Sequence, residues 1–393
     1  MKILIIPNTT DTVWFHLRNK LPAEFLAKRG HEVRFETEFK SYMHPVFGRN
    51  VDQGPLSWAD VIVLNRHYDV EDDVLRYVID YAKGEGKRIV YETDDLLEAP
   101  NCSHPEYLSI RRHLSQVRML AAEADVVTTT GRSLKEKLAR YNRNVITLPY
   151  CVDRTKWKRR KGRNEKVRVG WQGRGSHPED LVLILDVVRD LQREVDFEFV
   201  IFGLSPMKWD SYVLNLRDRH ERAVARRPED MGWYGSVIKL DQKLKGLEWK
   251  HEPFVPFEEY GKKLSRINLD IGLCPLADTS FSRSKSVIKF YEYAMVATAT
   301  LASDVPPYSG KVSCVAENTY EGWKTQLARL IGDEEFRKGV TEEQRQWVRT
   351  NRDIRSNIHL WEEVYSSSSG FDAASKDPLT TGLSQDSSLN PDC

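Results

Sequence analysis

SKSVIKFYEYAMVATATLASDVPPY, residues 284–308, decides the reading of this chain. It opens on Lys285 and Lys289, passes through an apolar-periodic run that carries one carboxylate, Glu292, and ends in a Val/Ala/Thr/Leu segment stopped by Asp304 and two prolines. The first part has helical spacing and the second the composition of a buried strand, so the segment reads as a helix-to-strand unit of a parallel sheet. With a helix beginning near Ser284, the two lysines lie four residues apart on one face, Glu292 follows three further on, and Ser284 or Ser286 supplies the cap. A helix N-terminus offers free N–H groups and a positive dipole end. With two lysines it makes a diphosphate site, and Glu292 one turn deeper can accept hydrogen bonds from ribose hydroxyls. The competing reading is an amphipathic helix with solvated lysines, and the surrounding chain shifts the balance.

Outward from that unit, VRVGW (167–171), FEFVIFG (197–203), LDIGLCPL (269–276) and TATLAS (298–303) are the strands of one α/β domain. An earlier alternation precedes it: KILII (2–6), HEVRF (31–35), DVIVLN (60–65), RIVYE (88–92), DVVTTT (125–130) and NVITLP (144–149). Between them, LRNKLPAEFLAKRG and VEDDVLRYVIDYAKGEG end in helix-stopping glycines, and SLKEKLARY starts on a serine cap. This is the pattern of doubly wound parallel sheets, in which ligands sit beyond the carboxyl ends of the strands. The expected organisation is a first Rossmann-like domain over 1–155, a second over 165–348 with an insertion at 205–246, a helix over 349–366, and a tail over 367–393. The tail is rich in Ser, Asp, Pro and Gly and too poor in apolar residues to offset its ordering entropy, so it is expected to be disordered.

The 393 residues suffice for two domains, and 40% hydrophobic content supplies ordinary cores. A net charge of +1 gives no global pull toward nucleic acid, although KWKRRKGRNEK (156–166) is locally basic and reads as the interdomain linker. No apolar run reaches the length of about 18 residues that a membrane span needs, and MKILII is too short for a signal peptide, which predicts a cytoplasmic protein. Peripheral membrane contact stays open. Five cysteines are scattered without a CxxC pair, so neither zinc nor a disulfide framework is indicated.

Chemistry is expected at the strand mouths. VRVGWQGRGSHPEDL carries Gly170, Gly173 and Gly175 between a strand and a helix starting near His177 or Pro178. Such a loop admits an anion, with Arg174 and His177 at the mouth, or is simply a tight turn. YETDDLLEAP places Glu92, Asp94 and Asp95 after a buried strand, where a carboxylate pair suits a metal, a general base or sugar hydroxyls, and helix capping competes with all three. His67 stands at another strand end, where a structural role outweighs a catalytic one. Trp14, Phe15 and His16 follow the first strand and are candidates to stack on an acceptor, with core packing equally open for Trp14. The insertion adds Trp209, Tyr212, Trp233 and Tyr234, expected over or beside the cleft.

Taken together, VVTTTGRSLKEKL with NVITLPYCVD, GWQGRGSHPEDL and the 284–308 block resemble the GT-B-fold glycosyltransferases of the group 1, family-four-like branch, across roughly residues 1–366. The resemblance implies two Rossmann-like domains with an interdomain cleft, the last helix crossing back to the first domain, and transfer of a sugar from a nucleotide-diphosphate donor with retention and without a metal or other cofactor. It matches Glu292 to the carboxylate that holds the ribose; read from the residues themselves, Gly173, Arg174, His177, Lys285, Ser286 and Lys289 join it at the donor, and His67, Asp94 and Lys289 serve catalysis. Trp14, His16 and Asp95 fall to a glycan, protein or modified-DNA acceptor. The chain departs from the family pattern in two places: Ser284 stands where members carry a second glutamate, and Gln172 or Arg174 with His177 stand where they carry an Arg and Lys pair. Two alternatives remain, a glucosyltransferase acting on modified DNA bases, suggested by the basic linker and RDRHERAVARR (217–227), and a non-catalytic nucleotide-sugar-binding or scaffold protein.

Overall fold

Val, Ile and Leu dominate the inner strands of the first half because both faces of the sheet are buried there. Eight strands lie there in the computed structural model: β1 (Lys2–Ile6), β2 (Glu32–Phe35), β3 (Ser41–His44), β4 (Gly48–Val51), β5 (Val61–Asn65), β6 (Arg88–Glu92), β7 (Val126–Thr129) and β8 (Val145–Thr147). The structure describes residues 1–44, 48–98, 107–159, 162–174, 178–204 and 233–367. The larger part of the insertion, the proposed disordered tail from residue 368, and His177 lie outside the described residues. Within the first sheet the order is β2-β1-β5-β6-β7-β8, all parallel. Ile3, Ile5, Val61, Val63 and Val90 pack on one face, and Leu4, Ile62, Leu64 and Tyr91 on the other. β3 and β4 form a separate antiparallel hairpin.

The second half contributes β9 (Val167–Gln172), β10 (Phe197–Phe202), β11 (Lys250–Glu252), β12 (Ile271–Cys274), β13 (Ala299–Ser303) and β14 (Val315–Ala316). Their order is β11-β10-β9-β12-β13-β14, again all parallel, so the chain reverses direction across the sheet between β9 and β12. That reversal is the switch point at which doubly wound sheets leave a crevice. The final helix, Ile354–Ser366, buries Ile354, Ile358, Trp361 and Val364 against the first half and lies on the helix Leu21–Lys28. Arg88 Nε donates to the Val364 carbonyl at 3.1 Å, and Val152 pairs with Asp353 at the return crossing.

Local structure departs from the sequence reading at three points. The helix expected from Ser284 begins at Ile288: Ser282–Ser284 is a 3-10 turn, and the N-cap of Ile288–Met295 is Val287, without a side-chain cap. The Ser284 hydroxyl is taken by the Ser280 carbonyl and by Ser133 Oγ, each at 3.2 Å, and Lys285 is extended. Lys285 therefore shares no helix face with Lys289 and Glu292. The helix Arg132–Leu138 is entered through Gly131 rather than a serine cap, because Ser133 turns to that contact with Ser284 across the domains. Finally, the expected single helix at 17–30 is a π-helical turn, Phe15–Lys20, running into Leu21–Lys28, with Pro22, which has no N–H to give, where the two registers meet.

Candidate active site

The carboxyl ends of β1, β9 and β10 face one another across a cavity of about 590 Å³. Its first-domain wall is Thr10, Asp11, Val13, Phe15, His16 and Lys20. Its second-domain wall comes from the end of β9 (Gln172, Gly173, Arg174), the end of β10, the turn into the helix Phe257–Ile267, and Ile288, Lys289 and Glu292 of the helix Ile288–Met295. Glycine is required at the β9 end. A Cβ on Gly173 would stand 2.5 Å from the buried Trp171 ring and 3.2 Å from Lys289 Nζ, and one on Gly203, at φ 97°, would stand 2.9 Å from the Gly173 carbonyl oxygen.

Glu292 sits at the floor of this wall with 3% of its surface exposed. Gln172 Nε2 donates to its Oε2 at 2.9 Å, and the Tyr260 hydroxyl lies 3.0 Å from the same oxygen while also touching Gln172 Oε1. Burial pushes the Glu292 carboxyl up to about 7, against the hydrogen bond of Tyr260, the charge of Lys289 and the hydrogen bond of Gln172, which lower it. Lys289 Nζ stands 4.7 Å over the Trp171 ring, and the Arg174 guanidinium 5.2 Å over the half-exposed Phe254 ring. The N-terminus of Ile288–Met295 thus opens toward the cavity between two cations.

The structure brings five of the expected site residues to this cavity: His16, Gly173, Arg174, Lys289 and Glu292. His16 stacks on Phe257 of the opposite domain, with ring centroids 4.5 Å apart, and its Nε2 lies 3.7 Å from Glu258. Burial holds its imidazole below the usual range, although Glu258 pulls it up.

Trp14, His67, Asp94, Asp95, Lys285 and Ser286 do not line the cavity. Trp14 is buried in the core beneath the Arg66 guanidinium, 5.0 Å away. His67 stacks on His113 at 5.0 Å, and burial, His113 and Arg66 push it down to about 4, so it is neutral near pH 7. Asp94 accepts from Arg66 Nε at 2.7 Å and from the Tyr150 hydroxyl at 2.8 Å. Burial holds its carboxyl above the usual aspartate range all the same. Asp95, expected at the acceptor, and Lys285, expected at the donor, are bonded to each other at 2.9 Å across the domain boundary.

Sequence reasoning missed Tyr260, Phe257, Glu258 and Lys20. The signal for the first three was present in VPFEEYGKKLSRI, a strongly amphipathic helix with its aromatic residues on the apolar face.

No family model and no curated protein matches the sequence. Solved structures do match over nearly the whole chain. Sucrose-phosphate synthase from Thermosynechococcus elongatus superposes with a TM-score of 0.60 at 10% identity, covering 93% of this chain and 98% of that one. An alpha-glucosyltransferase in complex with UDP gives 0.60 at 13% identity over 93% and 99%. Anabaena HepE in complex with UDP and glucose gives 0.61 at 13% identity over 93% and 100%. The chain has the GT-B fold: two Rossmann-like domains, each a six-stranded parallel sheet with helices on its faces. Among the described residues no helix is long and apolar enough to cross a membrane.

Proposed function

We propose that this protein is a glycosyltransferase that moves a sugar from a nucleoside-diphosphate donor, held by the second domain, to an acceptor presented by the first. The observation that carries this reading is the Glu292 carboxylate on the floor of the interdomain cavity, beside Lys289 and a helix N-terminus. A carboxylate held by neutral donors accepts ribose hydroxyls, and the adjacent cations accept a diphosphate. Lys289, Arg174 and the free N–H groups of Ile288 and Lys289 stabilise the departing diphosphate, each charge-assisted contact contributing roughly 1.5–3 kcal/mol. The reaction proceeds without a metal, since these groups neutralise the leaving group, and with retention, as the resemblance to the family-four-like branch implies. UDP, the nucleotide in the alpha-glucosyltransferase and HepE structures, is the first donor nucleotide to test.

Calorimetry against nucleoside diphosphates and the matching nucleosides tests the donor site, and donor hydrolysis in the presence of a chelator tests the chemistry. The expected outcome is tighter binding of a diphosphate than of its nucleoside, with hydrolysis that survives chelation. Absence of any nucleotide binding removes the reading. Binding without turnover on any donor leaves a nucleotide-sugar-binding protein, and turnover restored only by magnesium or manganese removes the metal-free mechanism.

A further inference from the structure

We infer that Tyr260 is a positioning residue that fixes the Glu292 carboxylate for the donor ribose. This rests on the donor-site reading of Glu292 and concerns a residue that reading does not use. Tyr260 comes from the helix Phe257–Ile267, Glu292 from Ile288–Met295 and Gln172 from the end of β9, so three separate elements meet at one carboxylate oxygen, Oε2. Among the described residues both hydrogen bonds that Glu292 accepts go to Oε2, which leaves Oε1 for a ligand in the cavity that Glu292 lines.

Tyr260 has little freedom to move. Its ring stacks on Phe202 at 5.4 Å and 17°, lies parallel to Phe257 at 6.3 Å, and meets Trp157 edge-on at 6.2 Å. His16 of the first domain stacks on Phe257 in turn, so a row of three rings runs from the first-domain wall to the tyrosine, and Phe202 extends it to a fourth. Proton counting gives the hydroxyl a definite task. With Glu292 charged, the single Tyr260 O–H donates to Oε2 and the Gln172 amide donates beside it. With Glu292 protonated, its own O–H donates to the Tyr260 oxygen, and the tyrosine proton goes to Gln172 Oε1. Gln172 and Tyr260 therefore satisfy both protonation states without moving a heavy atom, and the charged state is the one that accepts ribose hydroxyls.

The other titratable and charged groups around Glu292 are Lys289 on its own helix, Tyr293 beside it, and Cys274 at the end of β12. Lys289 favours the charged form, and the two neutral groups do not oppose it. Because the Tyr260 hydrogen bond also favours the charged form, its loss moves the Glu292 midpoint upward from about 7.

The test is nucleoside binding by calorimetry between pH 6 and 9 for the full chain, Tyr260→Phe, Glu292→Gln and the double variant. Tyr260→Phe keeps the ring row and removes one oxygen. We expect wild-type affinity to rise through about pH 7, as ionisation of Glu292 requires. In Tyr260→Phe we expect about tenfold weaker binding at pH 7, with the rise displaced to higher pH. In the Glu292→Gln background, Tyr260→Phe should cost nothing further. Equal losses with and without Glu292 overturn the inference, as does a Tyr260→Phe variant that melts earlier while its affinity and pH profile stay at wild type. Should Glu292→Gln itself leave binding unchanged, the donor-site reading fails instead. Tyr260→Leu, which also removes the ring, separates stacking from hydrogen bonding: matching Tyr260→Phe in affinity supports the hydroxyl, and a wild-type pH profile in both overturns it.

Discussion

The two sheet mouths of this molecule both carry buried acids, and they treat them in opposite ways. At the first, Glu92 is gripped by Arg18 through two hydrogen bonds of 2.8 Å, and Asp94 and Asp95 share Arg66. At the second, Glu292 has neutral partners, Gln172 and Tyr260, and its nearest cation reaches it only by charge. An acid matched by a hydrogen-bonded guanidinium is tied into the fold, even where burial still holds its carboxyl up as at Asp94. An acid buried against neutral donors keeps an unmet demand that a ligand can fill. This difference, more than the presence of carboxylates, separates the scaffold from the site.

The comparison is broken most forcefully at Arg18. Its guanidinium is buried, holds Glu92, and also donates to the Leu148 carbonyl at 2.5 Å. Arg18→Leu leaves Glu92 in the core with Thr128 as its remaining hydrogen-bond donor among the described residues, and should cost about 3–5 kcal/mol in denaturant unfolding. A loss below about 1 kcal/mol would mean that the first mouth is no more tightly compensated than the second.

Glu292→Gln should act in the reverse sense on stability. The folded protein holds the Glu292 proton up to about 7, above the ordinary 4.5, so its contribution is fully present below the lower value and is lost as pH rises through the upper one. The variant removes that loss, and should gain on the order of 3 kcal/mol relative to wild type between pH 5 and pH 8. Its nucleotide affinity should fall about tenfold or more at pH 8. A stability difference that is flat with pH would show that Glu292 titrates normally.

What the sequence made legible follows from the same physics. Most of the ten readable strands were legible because burial on both faces forces continuous runs such as VIVLN and FEFVIF, whereas the exposed edge strand EVRF and the three-residue VIT were read from composition and polar bounds. KHE at 250–252 and VA at 315–316 were not, since edge strands of two or three residues carry no period, and the hairpin beginning SYMH carries exposed Tyr42 and Met43 where a core pattern would alternate. Glu292, Lys289 and Gly173 could be placed at the cavity because the helix-to-strand unit and the strand-to-helix turn that carry them show in the local pattern, although the partners of Glu292, Gln172 and Tyr260, lie 120 and 32 residues away. Asp94 and Lys285 were misplaced because their partners, Tyr150 and Asp95, lie 56 and 190 residues away. Charge type is visible in a sequence, whereas compensation of charge is a property of the packed chain.

The smallest effect sharpens the comparison most, because it concerns two lysines that the sequence treats alike. Lys289 faces the cavity, so at pH 9, well above the Glu292 midpoint, Lys289→Ala should weaken a nucleoside diphosphate by roughly 1.5–3 kcal/mol while leaving the nucleoside nearly untouched. Lys285 instead spans the domain boundary to Asp95, alongside the Ser133–Ser284 contact and the bond from Lys137 to the Ser280 carbonyl. Its side chain is 21% exposed and that of Asp95 20%, so the pair is only partly shielded from water. Lys285→Ala should therefore cost about 1 kcal/mol or less of stability and leave the preference for diphosphate over nucleoside intact. The check is a side-by-side titration of both variants with both ligands. If Lys285→Ala erases the preference as Lys289→Ala does, Lys285 exchanges Asp95 for phosphate when the donor enters, and the domain contact is a resting place for a donor ligand rather than a fixed part of the fold.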